Sequence, residues 1–205
     1  MQLTRAGVVG VVAVALTLGG CADRSDPGQD AVDEILQPTG APSPLTPSDT
    51  SGERTSPDGA WSIALPEGAV EQRLDSTKEG VEEVGYHMPD ESEAGYPMMV
   101  VSWALDSRVG ALEDSKAMET SLDVNPNVSD LVRSEIDWPG AEVAVVVTWS
   151  EEVELETGDW VQVDAAVLTL ESSHAVVGAR AYALAGELEG STAWEALRTV
   201  RLGQG

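Results

Sequence analysis

The chain has 205 residues, with 36 acidic side chains against 11 basic ones and a formal charge of −25 at pH 7. That balance excludes a nucleic-acid binder. An apolar fraction of 42% excludes disorder throughout, because strongly charged disordered chains are poor in apolar residues. The single Cys, Cys21, permits neither an internal disulfide nor a thiolate zinc cluster.

Residues 1–20 carry one basic residue, Arg5, then an apolar run from Ala6 to Leu18, then Leu18-Gly19-Gly20-Cys21. This is the layout of a secretory signal. A membrane-spanning helix needs about 20 apolar residues to cross roughly 30 Å, and this run is shorter and interrupted by Gly7 and Gly10. Leu18-Gly19-Gly20-Cys21 resembles the bacterial lipobox, in which Leu stands three residues before the Cys and small residues fill the gap. The resemblance implies a signal peptide over 1–20, a diacylglyceryl thioether on Cys21, and attachment to the outer face of the cell membrane. Removing 1–20 takes away Arg5 and no acid, so the mature charge is −26. With no basic patch for anionic lipid, the acyl chains supply the anchoring, at about 0.8 kcal/mol per buried methylene.

Residues 21–56 comprise that lipidated N-terminus and a stretch with Pro at 27, 38, 42, 44 and 47 and many Ser and Thr. The composition predicts a flexible tether; a coil of that length spans roughly 30–35 Å. The brief apolar patch Val32, Ile35, Leu36 reads as a transient helical turn. From residue 57 to 205 the pattern becomes one of apolar runs separated by Gly, Pro and Asp, of a size usual for a single domain. Ala60–Leu65 alternates and is bounded by Pro66-Glu67-Gly68, which predicts a strand. Val81–Met88 and Met98–Leu105 are further strands. The loop between them holds Asp90-Glu91-Ser92-Glu93, an acidic cluster without the Asp-x-Asp-x-Asp-Gly spacing that wraps oxygens around Ca²⁺.

The period then changes. Ala111, Leu112, Ser115, Met118 and Leu122 share one helical face, predicting a helix over 108–123 that Asn125-Pro126-Asn127 stops. Glu142–Glu156 and Asp159–Leu170 are long strands joined by Thr157-Gly158-Asp159, a hairpin signal, and Ala175–Leu184 completes an antiparallel meander. In the first of these strands Glu152, Glu154 and Glu156 alternate with Val153 and Leu155, giving a solvated acidic face. Thr192 and Glu195 have capping-box spacing, predicting a final helix that lays Trp194 onto the sheet. The sum is an α+β domain: an antiparallel β-sheet flanked by helices.

Asp58-Gly59-Ala60-Trp61-Ser62-Ile63-Ala64-Leu65-Pro66-Glu67-Gly68 is similar to the first strand and turn of actinobacterial lipoproteins of the LpqN type. These belong to the wider group that includes PsbP and the Mog-type nuclear import factor. The resemblance implies a PsbP-like α/β/α sandwich over 57–205, used as a binding or assembly module and not as an enzyme.

The residues themselves supply little chemistry. His87 and His174 are the available near-neutral bases. Neither sits in a catalytic motif, no Gly-x-Ser-x-Gly elbow exists, and two isolated His cannot make a zinc site. No metal and no cofactor is expected. Of the six Trp residues, Trp61, Trp103, Trp149 and Trp160 fall in strands and read mostly as core. Trp138, in the turn Asp137-Trp138-Pro139-Gly140, is the candidate partner contact, since an exposed indole anchors a partner well; the competing reading folds it back over the sheet edge. The expected function is therefore a lipid-anchored, non-enzymatic envelope protein that binds another envelope protein or a lipid. The alternative is a lipid or small-molecule carrier with an apolar pocket between helix and sheet.

Overall fold

The computed structural model describes residues 43, 45–50, 52–76 and 78–203. The signal segment, Cys21 and the Val32–Leu36 patch lie outside the described residues. Ten strands, two α-helices and a short 3₁₀ turn follow one another among those described. They are β1 (Arg54–Thr55), β2 (Trp61–Ile63), β3 (Val70–Arg73), β4 (Glu82–His87), β5 (Met98–Leu105), α1 (Ala111–Asp123), β6 (Val128–Glu135), β7 (Val143–Glu154), β8 (Trp160–Glu171), β9 (Ala175–Leu184), the 3₁₀ turn Leu188–Gly190, α2 (Thr192–Leu197) and β10 (Arg201–Leu202).

Seven strands form one sheet in the order β3-β4-β5-β9-β8-β7-β6, and β1-β2-β10 form a second, smaller one. Every neighbouring pair is antiparallel. The fold is α+β. The meander β7-β8-β9 forms as the alternation predicts, and β9 pairs on its far side with β5 through Val101↔Ala179 and Trp103↔Val177.

Strand β9 explains how the sheet is covered. Its side chains alternate buried and half-buried along the whole strand, with Ala175, Val177, Ala179, Ala181 and Ala183 on one face. Small side chains there leave depth for large ones, and the same core holds Trp61, Trp103, Trp138 and Trp194. Trp61 and Trp103 meet edge to face, centroids 5.5 Å apart. The small sheet and α2 close this face. The opposite face receives α1, whose Met118 and Leu122 pack with Val147, Trp149, Ala165 and Val167.

Helix α1 starts at Ala111, three residues later than the periodicity suggests, because Gly110 is extended and serves as its N-cap. A glycine there makes room for two carboxylates. A Cβ would lie 2.7 Å from Glu171 Oε2 and 2.8 Å from Glu113 Oε2. Glu171 Oε2 accepts the Ala111 N–H at 2.7 Å, and Glu113 Oε2 accepts the Gly110 N–H at 2.7 Å. Negative charge at this end also complements the positive end of the helix dipole. Arg133 of β6 holds the middle of the helix. Its Nε donates to Ser115 Oγ at 2.9 Å and its guanidinium to the Leu112 carbonyl at 3.0 Å, and Glu119 lies 4.0 Å away. Burial lowers the Arg133 pKa, while Glu119 and Glu135 push it back up.

The domain begins earlier than residue 57. Leu45 is 2% exposed and belongs to the core. Ser48 donates its N–H to the Arg198 carbonyl at 2.9 Å, Arg198 Nε donates to the Thr46 carbonyl at 3.0 Å, and Arg201 donates to the Ser48 carbonyl. β1 pairs with β2 through Arg54↔Ile63. The tether reading is thus corrected for residues 45–50 and 52–56. Pro, Ser and Thr mark a segment without regular structure, but here two arginines collect its carbonyls and Leu45 finds a place in the core. The final helix is corrected too: its N-cap is Ser191, whose Oγ accepts the Trp194 N–H at 3.1 Å, one residue before Thr192.

Replacing Arg133 by Ala leaves the Leu112 carbonyl and Ser115 hydroxyl without this donor, so unfolding free energy should fall by about 1–3 kcal/mol. Urea denaturation monitored by circular dichroism checks this; an unchanged midpoint would show that Arg133 does not hold α1.

Candidate functional site

Trp138 does not face solvent. It is 6% exposed and lies in the core that β2, α2 and β10 cover. Its Nε1 donates to the Val200 carbonyl at 2.8 Å, and the Arg201 guanidinium stands 5.9 Å from the ring centroid. The turn residue Gly140 has φ +83°, a conformation that suits glycine and folds Asp137-Trp138-Pro139-Gly140 back on itself. Ala141 donates its N–H to the Trp138 carbonyl at 3.2 Å. The expectation of an exposed partner contact at Trp138 is therefore overturned: the indole seals the sheet edge to the C-terminal segment. Beside it lies a cleft of about 410 Å³, lined by Pro47, Glu135, Asp137, Trp138 and Glu142 among others. Between α1 and the sheet, where the carrier reading puts its pocket, Met118, Leu122, Val147, Trp149 and Val167 pack together.

Several of the acidic groups and one imidazole, that of His87, hold parts of the fold together. Asp90 accepts from the Thr192 hydroxyl and, at 3.4 Å, from its N–H, joining the β4–β5 loop to α2. His87 has Glu91 Oε2 2.9 Å from Nδ1 and Gln72 Oε1 2.8 Å from Nε2. His174 is exposed in the β8–β9 turn, where its carbonyl accepts the Asp106 N–H at 2.9 Å. Asp58, at the opening turn, accepts from Ser56 Oγ at 2.6 Å, Ala60 N at 3.0 Å and Trp103 Nε1 at 2.8 Å. Burial opposes the Asp58 charge, but the three hydrogen bonds outweigh it and hold the carboxyl below its ordinary value. Among the described residues, no three His, Cys, Asp or Glu side chains come together as a metal site.

The acidic cluster of β7 separates into two kinds of residue. Glu151 points to the α1 face, paired across the sheet with Val128 and Val163. Burial pushes its carboxyl pKa up, with the Trp149 indole opposing the shift. Nearby, burial and the Glu151 charge raise Tyr96 to about 12. Trp149 and Tyr182 meet edge to face, centroids 6.2 Å apart. Glu152, Glu154 and Glu156 are exposed, as the alternation predicts.

Of the four strand tryptophans, expected mostly as core, Trp160 is the exposed one. It is 56% exposed, whereas the other tryptophans are at most 7% exposed. Its place explains why. β9 pairs with β8 as far as Leu184↔Val163, and β6 pairs with β7 as far as Val128↔Glu151. Beyond those points β7 and β8 continue as a two-stranded arm through Glu152↔Gln162, Val153↔Val161 and Glu154↔Trp160, its first rung still held from outside by the Asn127 carbonyl on the Glu152 N–H at 3.1 Å and the Ala185 N–H on the Gln162 carbonyl at 3.0 Å. The turn closes with the Leu155 N–H on the Asp159 carbonyl at 2.8 Å, and Gly158 has φ +85°. Alternation marks Trp160 as strand; it carries no mark of where the neighbouring strands stop.

No family model matches the chain and no curated protein matches it in sequence. Solved structures that resemble it include cyanobacterial PsbP from Synechocystis, at 13% identity and TM-score 0.47, covering 78% of this chain and 99% of that one. Another is LpqN of Mycobacterium tuberculosis, a protein involved in cell envelope biogenesis, at 16% identity and TM-score 0.47, covering 73% of this chain and 87% of that one. A third, a Bacteroides thetaiotaomicron protein, is 17% identical with TM-score 0.46 over 76% of this chain, which spans 50% of that protein's length. Among the described residues, no helix is long and apolar enough to cross a membrane.

Because the folded-state pKa of Glu151 is raised, its contribution favours folding below the unfolded carboxylate pKa and is lost as pH rises through the folded value. Glu151→Gln should therefore raise the melting temperature at pH 7 and give a smaller gain near pH 4, below the ordinary carboxylate value. Calorimetric scans of both proteins at the two pH values check this; a gain of equal size at both would contradict it.

Proposed function

We propose that the chain is an extracytoplasmic lipoprotein, held to the outer face of the cell membrane through Cys21, whose globular head is a non-enzymatic binding or assembly module of the cell envelope. The observation that carries this reading is the position of the chain's single Cys. It falls at the end of Leu18-Gly19-Gly20-Cys21, directly after an apolar run of signal-peptide length. Packing of Leu45 into the head leaves 22–42 between Cys21 and the domain, enough chain to hold the head off a bilayer. With a mature charge of −26, acyl chains and not charge would hold the protein at an anionic leaflet.

The head supports a binding role through what its polar side chains do. Asp58, Asp90, Glu91, His87 and Glu171 each hydrogen-bond to another segment or turn of the fold. They are positioned by those contacts and serve them, which suits a rigid scaffold whose outer surface is recognised. The acidic surface favours basic partners.

Mass spectrometry of the protein isolated from membranes should find the N-terminal peptide beginning at Cys21 and carrying a diacylglyceryl group. Cys21→Ala should leave the signal uncleaved and unlipidated. Lipid on the Cys21→Ala variant, or a mature wild-type N-terminus elsewhere with a free thiol, would overturn the anchoring. Affinity isolation of the lipidated form from its own membranes should return a reproducible partner; catalytic turnover assigned to the head would overturn the module.

A further inference from the structure

We infer that the free end of the β7–β8 arm docks an extended, basic polypeptide segment of another envelope protein, with Trp160 as apolar anchor and Glu152, Glu154 and Glu156 supplying the charge. This names the surface and the partner chemistry for the binding module proposed above, and rests on that reading.

Three features converge at the arm. The first is the Trp160 indole, 56% exposed where the five other tryptophans are buried. The second is charge without compensation. Glu152 and Glu154 stand on the Trp160 face of the arm, Glu154 directly opposite the indole, and Glu156 follows in the turn. No Lys or Arg occurs between residues 134 and 179, and among the described residues no ion pair reaches these carboxylates. Successive same-face residues on a strand lie about 6.5–7 Å apart, inside the ~8 Å screening length at physiological salt. The repulsion between them persists in the free protein, and a cation relieves it. The third is the backbone: past the Glu152 N–H, which the Asn127 carbonyl accepts, and the Gln162 carbonyl, which accepts the Ala185 N–H, the tip residues Glu154 and Trp160 have no outer ladder partner among the described residues. A short free edge of this kind adds main-chain hydrogen bonds to an extended segment.

These features select the occupant. Lys or Arg at alternate positions of an extended segment repeats at the same ~6.5–7 Å as the glutamates, and a cation over an indole face is attracted by its quadrupole. A second copy of this chain brings −25 and the same acidic arm, and an anionic lipid surface is likewise repelled. Position also suits a partner away from the anchor. Pro47 lines the cleft beside Glu142 and Ala144, at the start of β7, and the arm is at the other end of this strand of 12 residues, roughly 35–40 Å away at the usual rise.

The test measures binding of fluorescent peptides of about ten residues to the full chain in detergent at physiological salt. One peptide alternates Lys with Val, one Glu with Val, one Ser with Val. The Lys peptide should bind and the other two should not. Trp160→Ala should weaken it about tenfold, the cost of a desolvated cation–π contact, and Trp160→Phe should restore part of the loss. Glu152→Gln/Glu154→Gln/Glu156→Gln should weaken binding and flatten its salt dependence. The control Glu67→Gln/Glu79→Gln/Glu93→Gln removes as many exposed charges elsewhere and should leave affinity in place. Equal loss in that control, or no loss in Trp160→Ala, overturns the inference by showing diffuse attraction to a polyanion. Absence of Lys-peptide binding also overturns it; the module reading survives that result if the lipidated chain still isolates its membrane partner, and falls with it if no partner is found.

Discussion

The depth of the core over β9 is the constraint on which the rest of the molecule depends. Strand β9 sits inside the seven-stranded sheet, bonded to β5 on one side and β8 on the other, so it cannot move away from what covers it. Ala175, Ala179, Ala181 and Ala183 keep its covered face low, and the buried indoles of Trp61, Trp103, Trp138 and Trp194 fill the height above the sheet. Enlarging any of those alanines would force off-rotamer packing at a cost of about 1–3 kcal/mol. The two ends of the domain are recruited to the same layer: β2 and β10 pair through Trp61↔Leu202 and Ser62↔Arg201, and Leu45 enters the core beside them. The opposite face depends on one amphipathic helix, fixed at its start by Glu171 and along its length by Arg133.

Much of this was legible from local pattern. Met98–Leu105 and Ala175–Leu184 form strands with the bounds their apolar runs imply, because a short apolar run bounded by turn residues reports a strand buried in a sheet. What local pattern omits is which elements meet. Trp138 and Trp160 illustrate it. The first sits among turn residues and is buried because Val200, which leads into the C-terminal strand over 60 residues later, offers it a carbonyl. The second sits in a strand and is exposed because β6 and β9 end before reaching it. The same limit hid Arg133, whose partners lie on α1, and the docking of residues 45–50, whose carbonyls are gathered by Arg198 and Arg201. β3 carries Val70 in the open and little apolar alternation, so only its pairing with β4 makes it a strand.

The functional reading has the same shape. Its anchor is a local motif, complete within Leu18–Cys21, and therefore readable in the sequence. Its recognition surface is a consequence of unequal strand lengths and appears only in three dimensions. An arm that outruns its sheet carries a structural cost, since it exposes an indole and holds same-face carboxylates together without counter-charge. Proteins keep such local conflicts where something is to be bound, and here the conflict lies at the opposite end of β7 from the segment that leads toward Cys21.

The most direct measurement of this account is fluorine NMR on the full chain with 5-fluorotryptophan at its six Trp positions, with a soluble paramagnetic agent added. The account predicts one strongly attenuated resonance, lost in Trp160→Phe, and five protected ones that include the resonance lost in Trp138→Phe. Attenuation of the Trp138 signal together with protection of Trp160 would contradict it, returning the recognition surface to the turn and removing the arm from solvent.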